Sequence, residues 1–374
     1  MMRIGIDARF YGSVGKGLGR YTQKLVEHLE EIDSENKYFV FLRRENFQEY
    51  VPSNPNFKKV LADYGWYSFA EQLFFPKLLY SYKLDLMHFP HFNVPILYFR
   101  KFVITIHDLI LLHFPTKRAS TLSPFLYWVK FCAYKLVIYS AIIRSQRIIA
   151  VSKFTKQDIL SRYSVGENKI AVTYEACEKS SKESLQSRQQ ILKKYDIIKP
   201  YLLYVGNAYP HKNLERLISA FSEVHGKLQD LNLVLVGKED YFYLRLKEEV
   251  KKNKIKGVIF PGFVDDCDLG AVYQQALLYI FPSLYEGFGL PPLEAMERGV
   301  AVICSNSTCL PEILGDGAFF VDTKKELEIS EAILKITSDE SLRETLISKG
   351  YRQVEKYSWE KMARETLEIY LENK

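Results

Sequence analysis

Long apolar runs are missing from this 374-residue chain. The cleanest stretches extend over about eight residues, as at 136–143, whereas a membrane-spanning helix needs about 20. A chain threaded through a bilayer as helices is therefore excluded. No secretory signal is read either, because the strand pattern begins at once. Cysteine is scarce: five residues, at 132, 177, 267, 304 and 309, form no C-x-x-C pair. An odd number in mostly apolar segments reads as buried, reduced thiols in a cytoplasmic protein. No His, Cys, Asp or Glu cluster has metal-ligand spacing, so neither a metal nor another cofactor is expected. Low-complexity tracts are absent too, and a 47% hydrophobic content supports sizeable cores.

Acidic residues are almost lacking across 86–157, where Asp108 stands alone among many lysines and arginines. The imbalance extends further. Residues 1–200 carry 30 Lys and Arg against 18 Asp and Glu, and residues 201–374 carry 21 against 27. A basic, aromatic front half points to an anionic partner: a lipid surface, a phosphorylated acceptor or nucleic acid. No nucleic-acid-binding module is recognisable, so none is expected. The stretch 121–147 mixes large aromatics with Lys130, Lys135, Arg144 and Arg147. It reads as a helix able to lie in an anionic membrane interface, or as an ordinary core-packed helix with a basic rim.

What is present is a regular alternation of strand and helix patterns. Strands are expected at 3–10, 38–42, 57–61, 85–89, 102–107, 147–152 and 169–175. A second series follows at 201–205, 232–236, 258–260, 276–281, 300–304 and 318–321. Runs such as V-I-T-I and L-V-L-V are apolar on both faces, the mark of parallel sheets covered on both sides. Two series imply an α/β protein of two doubly wound domains, 1–180 and 200–356. The polar stretch 178–200 separates them. A last helix within 357–374 is expected to pack back on the first domain.

The densest motif is F-P-S-L-Y-E-G-F-G-L-P-P-L-E, 281–294. A strand runs into a glycine loop, and Pro291 and Pro292 suit a helix's first turn. A helix N-terminus offers N–H groups and a positive dipole end to a phosphate. Glu294 falls one turn into that helix, within reach of hydroxyls, and Glu286 lies in the loop. A phosphate with hydroxyls reads as a nucleotide-sugar. Other motifs also follow strands. G-S-V-G-K-G-L-G-R-Y-T, 12–22, reads as a glycine loop with a helix beginning near Arg20, or as a merely flexible loop. It is neither the dinucleotide fingerprint nor a Walker A loop. His107 and Asp108 end a strand, as sugar contacts or as a helix-capping pair. His88 and His91 read as structural or acceptor-lining. Lys212, in G-N-A-Y-P-H-K-N-L, could neutralise a diphosphate or simply be solvated. Val264 follows P-G-F, where a nucleobase could dock.

In this order the motifs resemble those of glycosyltransferase family 4, which has the GT-B fold of two Rossmann-like domains facing across a cleft. The E-G-F-G-L-P-P-L-E-A-M block resembles its paired-glutamate motif. R-I-G-I-D-A-R-F with G-K-G-L-G-R-Y-T is similar to its N-terminal glycine loop, particularly in a mannosyltransferase-like branch acting on bacterial O-polysaccharides. T-I-H-D-L, V-S-K-F-T, P-H-K-N-L and P-G-F-V-D-D follow in order, and the likeness spans nearly the whole chain. The resemblance implies a retaining, metal-independent transfer from a nucleoside-diphosphate sugar, with GDP-mannose favoured, to a glycan or lipid-linked acceptor in cell-surface polysaccharide synthesis. It implies catalytic roles for His107, Lys212 and Glu286, and donor contacts from Gly17, Gly206, Asn207, Val264, Gly287, Phe288, Gly289, Leu290 and Glu294. It also implies an arginine after Gly206, where this chain has Asn207. The competing readings are a non-catalytic sugar-nucleotide-binding or scaffold subunit, and a nicotinamide-dependent oxidoreductase using Arg43 and Arg44. The expected location is cytoplasmic, peripheral at the inner face of the membrane.

Overall fold

The computed structural model describes residues 1–115, 123–178 and 185–372. The chain forms two compact units. The first holds Met1–His113 and the described parts of Ser120–Glu175 and Ser358–Lys374; the second is built mainly from Ala176–Tyr357.

The first unit is a parallel sheet of β1 (Arg3–Asp7), β2 (Lys37–Leu42), β3 (Phe57–Leu61), β4 (Leu86–Phe89), β5 (Phe102–Ile106), β6 (Arg147–Ala150) and β7 (Ile170–Val172). Their order is β3-β2-β1-β4-β5-β6-β7. The second sheet holds β8 (Tyr201–Val205), β9 (Asn232–Val236), β10 (Val258–Gly262), β11 (Leu278–Phe281), β12 (Val302–Ser305) and β13 (Ala318–Val321), in the order β10-β9-β8-β11-β12-β13. The central strands are buried on both faces, so their side chains do not alternate between core and water. Every strand anticipated from the apolar runs is present. Several are shorter, and β1, β5, β6 and β7 stop early at the carboxyl end, where the chain turns into the loops that carry His107 and Glu175. In both sheets the chain reverses direction of winding beside its first strand, between β1 and β4 and between β8 and β11. That is where an open α/β sheet leaves a crevice beyond its strand ends.

The helix Trp359–Leu371 packs on the helix Lys16–Ile32 within the first unit. Ser358 caps it by accepting from the Lys361 N–H, and Met362, Ala363, Ile369 and Tyr370 are buried beneath it. The second unit begins at Ala176, well before residue 200. Within the polar stretch expected between domains, the helix Leu185–Lys194 packs on the helix Asp266–Gln274. Lys194 bonds Asp268 at 2.6 Å and Asp265 at 3.2 Å there. The K-S-S-K-E-S run at 179–184 lies outside the described residues.

The stretch read as a helix at 121–147 forms the helix Pro124–Arg144. Ile138, Ala141 and Ile142 are buried, whereas Phe125, Trp128, Val129, Leu136 and Tyr139 are exposed. No helix among the described residues is long and apolar enough to cross a membrane. The expectation of buried thiols needs correction. Cys304 and Cys309 are buried, but Cys132 and Cys267 are exposed, because each stands on the outer face of its helix.

Candidate functional site

In the second unit, β8 and β11 lie side by side and their carboxyl ends carry most of the expected site. Gly206 and Asn207 follow β8. The loop after β11 carries Glu286, Gly287 and Phe288, then Gly289 in the left-handed region at φ 96°. A Cβ on Gly289 would stand 2.8 Å from the Leu310 side chain, so space and backbone both demand glycine. The helix Leu290–Glu297 begins directly after it. The prolines at 291 and 292 fit its first turn but have no N–H, so this N-terminus is poorer in donors than its position implies. The N–H groups of Gly289 and Leu290 have no acceptor among the described residues.

Glu294 sits in the second turn of that helix, 8% exposed. Tyr273 donates to its Oε2 at 3.3 Å, and Arg298 donates to its backbone carbonyl at 3.0 Å. Burial, reinforced by the Glu294 charge, pushes the Tyr273 phenol far up, so it remains a donor.

Lys212 ends a short 3-10 turn, Pro210–Lys212, and Asn213 follows at φ 61°. Asn213 Nδ2 donates to Pro282 O at 3.2 Å and Thr323 O at 2.8 Å, and Leu284 N donates to His211 O at 2.7 Å. These bonds tie the turn to the loop after β11. They bring Lys212 Nζ to 2.5 Å from Glu286 Oε1, with both side chains about nine-tenths buried. A lysine so enclosed is no solvated surface charge. Beside it, burial and the Lys212 charge lower the His211 pKa to about 4, against an opposing pull from Glu286. His211 is therefore neutral at neutral pH and adds no positive charge. Val264 is buried at the carboxyl end of β10, two strands from β8.

The first unit holds Gly17 and His107. The helix expected near Arg20 starts at Lys16, after a 3-10 turn Gly12–Gly15, so Gly17 and Gly19 are helical rather than in a loop. Their roles diverge. A Cβ on Gly19 would meet Gly12 O at 2.1 Å, and one on Gly15 would meet Phe10 O at 2.0 Å. These two glycines let the chain fold on itself. Nothing lies within 4 Å of the Cβ position of Gly17, which alone of the three faces open space.

His107 follows β5. Its Nδ1 is 2.8 Å from Glu175 Oε1 and its Nε2 is 3.0 Å from Pro90 O. Burial opposes charge on the ring, but these acceptors, with Asp108, outweigh it and hold the pKa above the ordinary value. Both ring nitrogens are thus engaged, and a sugar hydroxyl would have to displace one partner. Asp108 Oδ1 caps the four-residue helix Ile110–His113 by accepting from Ile110 N at 2.9 Å. His88 is structural: fully buried, it bridges Tyr370 Oη at 2.6 Å and Thr105 Oγ1 at 2.9 Å. Burial and the nearby His107 push it down to about 3.

Sequence reasoning missed the groups that hold these residues. Arg9, at 0% exposure, bonds Asp7 and Glu71 at 2.7 Å each and lies over the Phe75 ring at 4.1 Å. Asn93 completes the cluster on Glu71 at 2.7 Å. Charges in I-D-A-R at an apolar strand's end were the available signal. Among the described residues no group of three or more His, Cys, Asp or Glu is placed to hold a metal ion.

Two family profiles match the chain: Glycosyltransferase Family 4 over residues 15–178 and Glycosyl transferases group 1 over residues 187–353. Over 95% of both chains it is 29% identical to O-antigen chain mannosyltransferase B of Escherichia coli. Over 94% of both it is 26% identical to O-antigen chain mannosyltransferase RfbU of Salmonella typhimurium. The fold is similar to that of HepE from Anabaena, solved in complex with UDP and glucose, with a TM-score of 0.75 over all of both chains at 14% identity. With the motifs in order, the two winding sheets and these matches, the chain belongs to the family 4 glycosyltransferases, with the two Rossmann-like domains of the GT-B fold.

Proposed function

We propose that this glycosyltransferase moves mannose from GDP-mannose, with retention and without a metal ion, onto a glycan or lipid-linked acceptor in O-polysaccharide synthesis. The observation that carries the reading is the enclosed Lys212–Glu286 pair beside the Gly289 turn and the Glu294 helix. In the reaction the bond from the sugar's C1 to the phosphate oxygen breaks and a bond from C1 to an acceptor oxygen forms. The departing phosphate takes the acceptor's proton. Negative charge grows on the diphosphate, where Lys212 and the amides of Gly287–Leu290 stabilise it, fixed before the reaction begins. Glu286 is Lys212's counter-ion in the free protein, and it contacts donor sugar hydroxyls once the lysine turns to phosphate. Glu294 holds the ribose and the backbone beside Val264 meets the base. The family resemblance assigns donor contacts to Gly17 and His107 of the first unit as well, and the Glu175 and Pro90 acceptors hold the His107 ring in one orientation. Mannose is favoured by the names of the two O-antigen relatives.

The enzyme works at the inner face of the cytoplasmic membrane. The exposed Phe125, Trp128, Leu136 and Tyr139, with Lys130 and Lys135 on the same helix, support binding to anionic lipid. Incubation with radiolabelled GDP-, UDP- and ADP-sugars and a lipid-linked acceptor tests the transfer. Absence of both transfer and donor hydrolysis with every donor overturns the reading. Flotation with anionic vesicles should be weakened by salt, and equal binding to neutral vesicles at all salt concentrations refutes the electrostatic part.

A further inference from the structure

Three successive carbonyls leave β8, and a buried tyrosine hydroxyl bonds each one. Tyr279 Oη donates to Val205 O at 3.3 Å, Tyr243 Oη to Gly206 O at 2.9 Å, and Tyr204 Oη to Asn207 O at 2.7 Å. The three rings come from three different elements: β11, the helix Tyr241–Lys252 and β8 itself. Tyr243 Oη also lies 3.0 Å from Val236 O, so its one proton is shared between carbonyls at the ends of β8 and β9. All three phenols are buried and their pKa values are pushed far up by that burial. They remain protonated donors.

The crowding around these bonds is built in. A Cβ on Gly237 would stand 2.2 Å from Gly206 O and 2.5 Å from Tyr243 Oη. One on Gly206, which has φ 154°, would stand 2.7 Å from Tyr204 Oη. Two glycines thus make room for carbonyls and hydroxyls to meet.

A trans peptide points its C=O and N–H in opposite directions. The peptide after Gly206 turns its carbonyl toward Tyr243 and the end of β9. Its N–H, that of Asn207, therefore points to the other side, where β11 and its glycine loop lie. The next carbonyl is held by Tyr204, which fixes the direction of the Ala208 N–H. Neither amide has an acceptor among the described residues. The Asn207 side chain turns aside, its Oδ1 accepting from Tyr209 N at 3.3 Å.

We propose that Tyr243 and Tyr204 are positioning residues for the donor: by holding the carbonyls on either side of Asn207, they fix the turn so that the Asn207 amide is aimed at the diphosphate. This deepens the donor reading above and rests on it. Tyr279 anchors the strand end from which the turn departs. The chain thereby presents a fixed, uncharged donor in the turn after β8, complementing the charge of Lys212.

Calorimetric titration of the full chain with guanosine, GMP and GDP tests this, with the uridine and adenosine series alongside. In Tyr243→Phe and in Tyr204→Phe, the gain in affinity from nucleoside to diphosphate should fall about three- to tenfold, while nucleoside binding stays unchanged. Tyr201→Phe is the control. Its equally buried hydroxyl bonds Val272 O at 2.6 Å, away from the turn, and its loss should leave the diphosphate gain intact. An unchanged gain in whichever tyrosine variant folds, or an equal loss in the control, overturns the proposal. If the unsubstituted protein prefers no diphosphate over its nucleoside, the donor reading itself fails and the positioning role falls with it.

Discussion

Replacing Lys212 with methionine separates two quantities that the structure ties together. The lysine Nζ stands 2.5 Å from Glu286 Oε1, and the two side chains are 12% and 10% exposed. Removing one partner of a buried pair costs about 3–5 kcal/mol when the other charge is left without water. Here both groups keep an edge to solvent, so the second domain should lose stability at or just below the lower end of that range. Chemistry should lose more than stability explains. Withdrawing one fixed electrostatic group from a leaving charge costs about 100- to 1,000-fold in kcat. The double variant Lys212→Met/Glu286→Gln resolves the two effects. It removes the orphaned charge and should recover most of the stability, read by urea unfolding of the second domain. It should recover none of the turnover, read with radiolabelled donor under saturating conditions. A Lys212→Met enzyme with raised KM and unchanged kcat would refute the reasoning, since the lysine would then bind ground and transition states alike. Recovery of turnover in the double variant would also refute it, showing that the lysine serves only to neutralise Glu286.

Gly19→Ala forces a Cβ to 2.1 Å from the Gly12 carbonyl and should sharply lower thermal stability, whereas Gly17→Ala meets nothing within 4 Å and should leave the melting temperature level or slightly raised. If donor phosphate passes over Gly17, the same Gly17→Ala protein binds GDP more weakly despite its intact fold, as calorimetry would show. His88, His91 and His211 are held neutral, with pKa values lowered to about 3, 3 and 4 by burial. Their contribution is complete above the unfolded value of about 6.5 and is lost as pH falls from there toward 4 and 3. Urea midpoints should drop across that window, and a flat profile contradicts the burial argument. His107 runs the other way: its raised pKa stabilises the fold below about 6.5, and that stability fades as pH rises through the folded value. Glu175→Gln should bring the His107 titration down, followed by the NMR signal of its ring protons, and an unmoved titration would rule out the ion pair as the cause.

Much of the architecture was legible because a buried parallel strand needs apolar residues on both faces, and the chain supplies such runs in two series. Strand ends were less legible. Phe10 continues the pattern of β1, yet the ladder stops at Asp7, since Arg9 turns inward to meet Asp7 and Glu71. The carboxylate pair was legible as a motif, because glycine and proline fix the turn that carries it. The state of His107 was not. Pattern placed it at a strand end, but Glu175 comes from a segment 68 residues away and raises its pKa against the effect of burial. The glycines at 15, 17 and 19 look alike in sequence, and only their surroundings separate two packing positions from one open one.

By itself, then, the sequence determined the alternation of strand and helix, the two winding sheets and the glycine turn ahead of Glu294. These follow from local sterics and from which residues avoid water. The tertiary structure alone decided which charges meet. It paired Lys212 with Glu286, closed Glu175 on His107, locked Arg9 between two carboxylates and set three tyrosines on three consecutive carbonyls. Such contacts join residues far apart along the chain, and their energies depend on distance and on exclusion of water, neither of which exists until the sheets are packed.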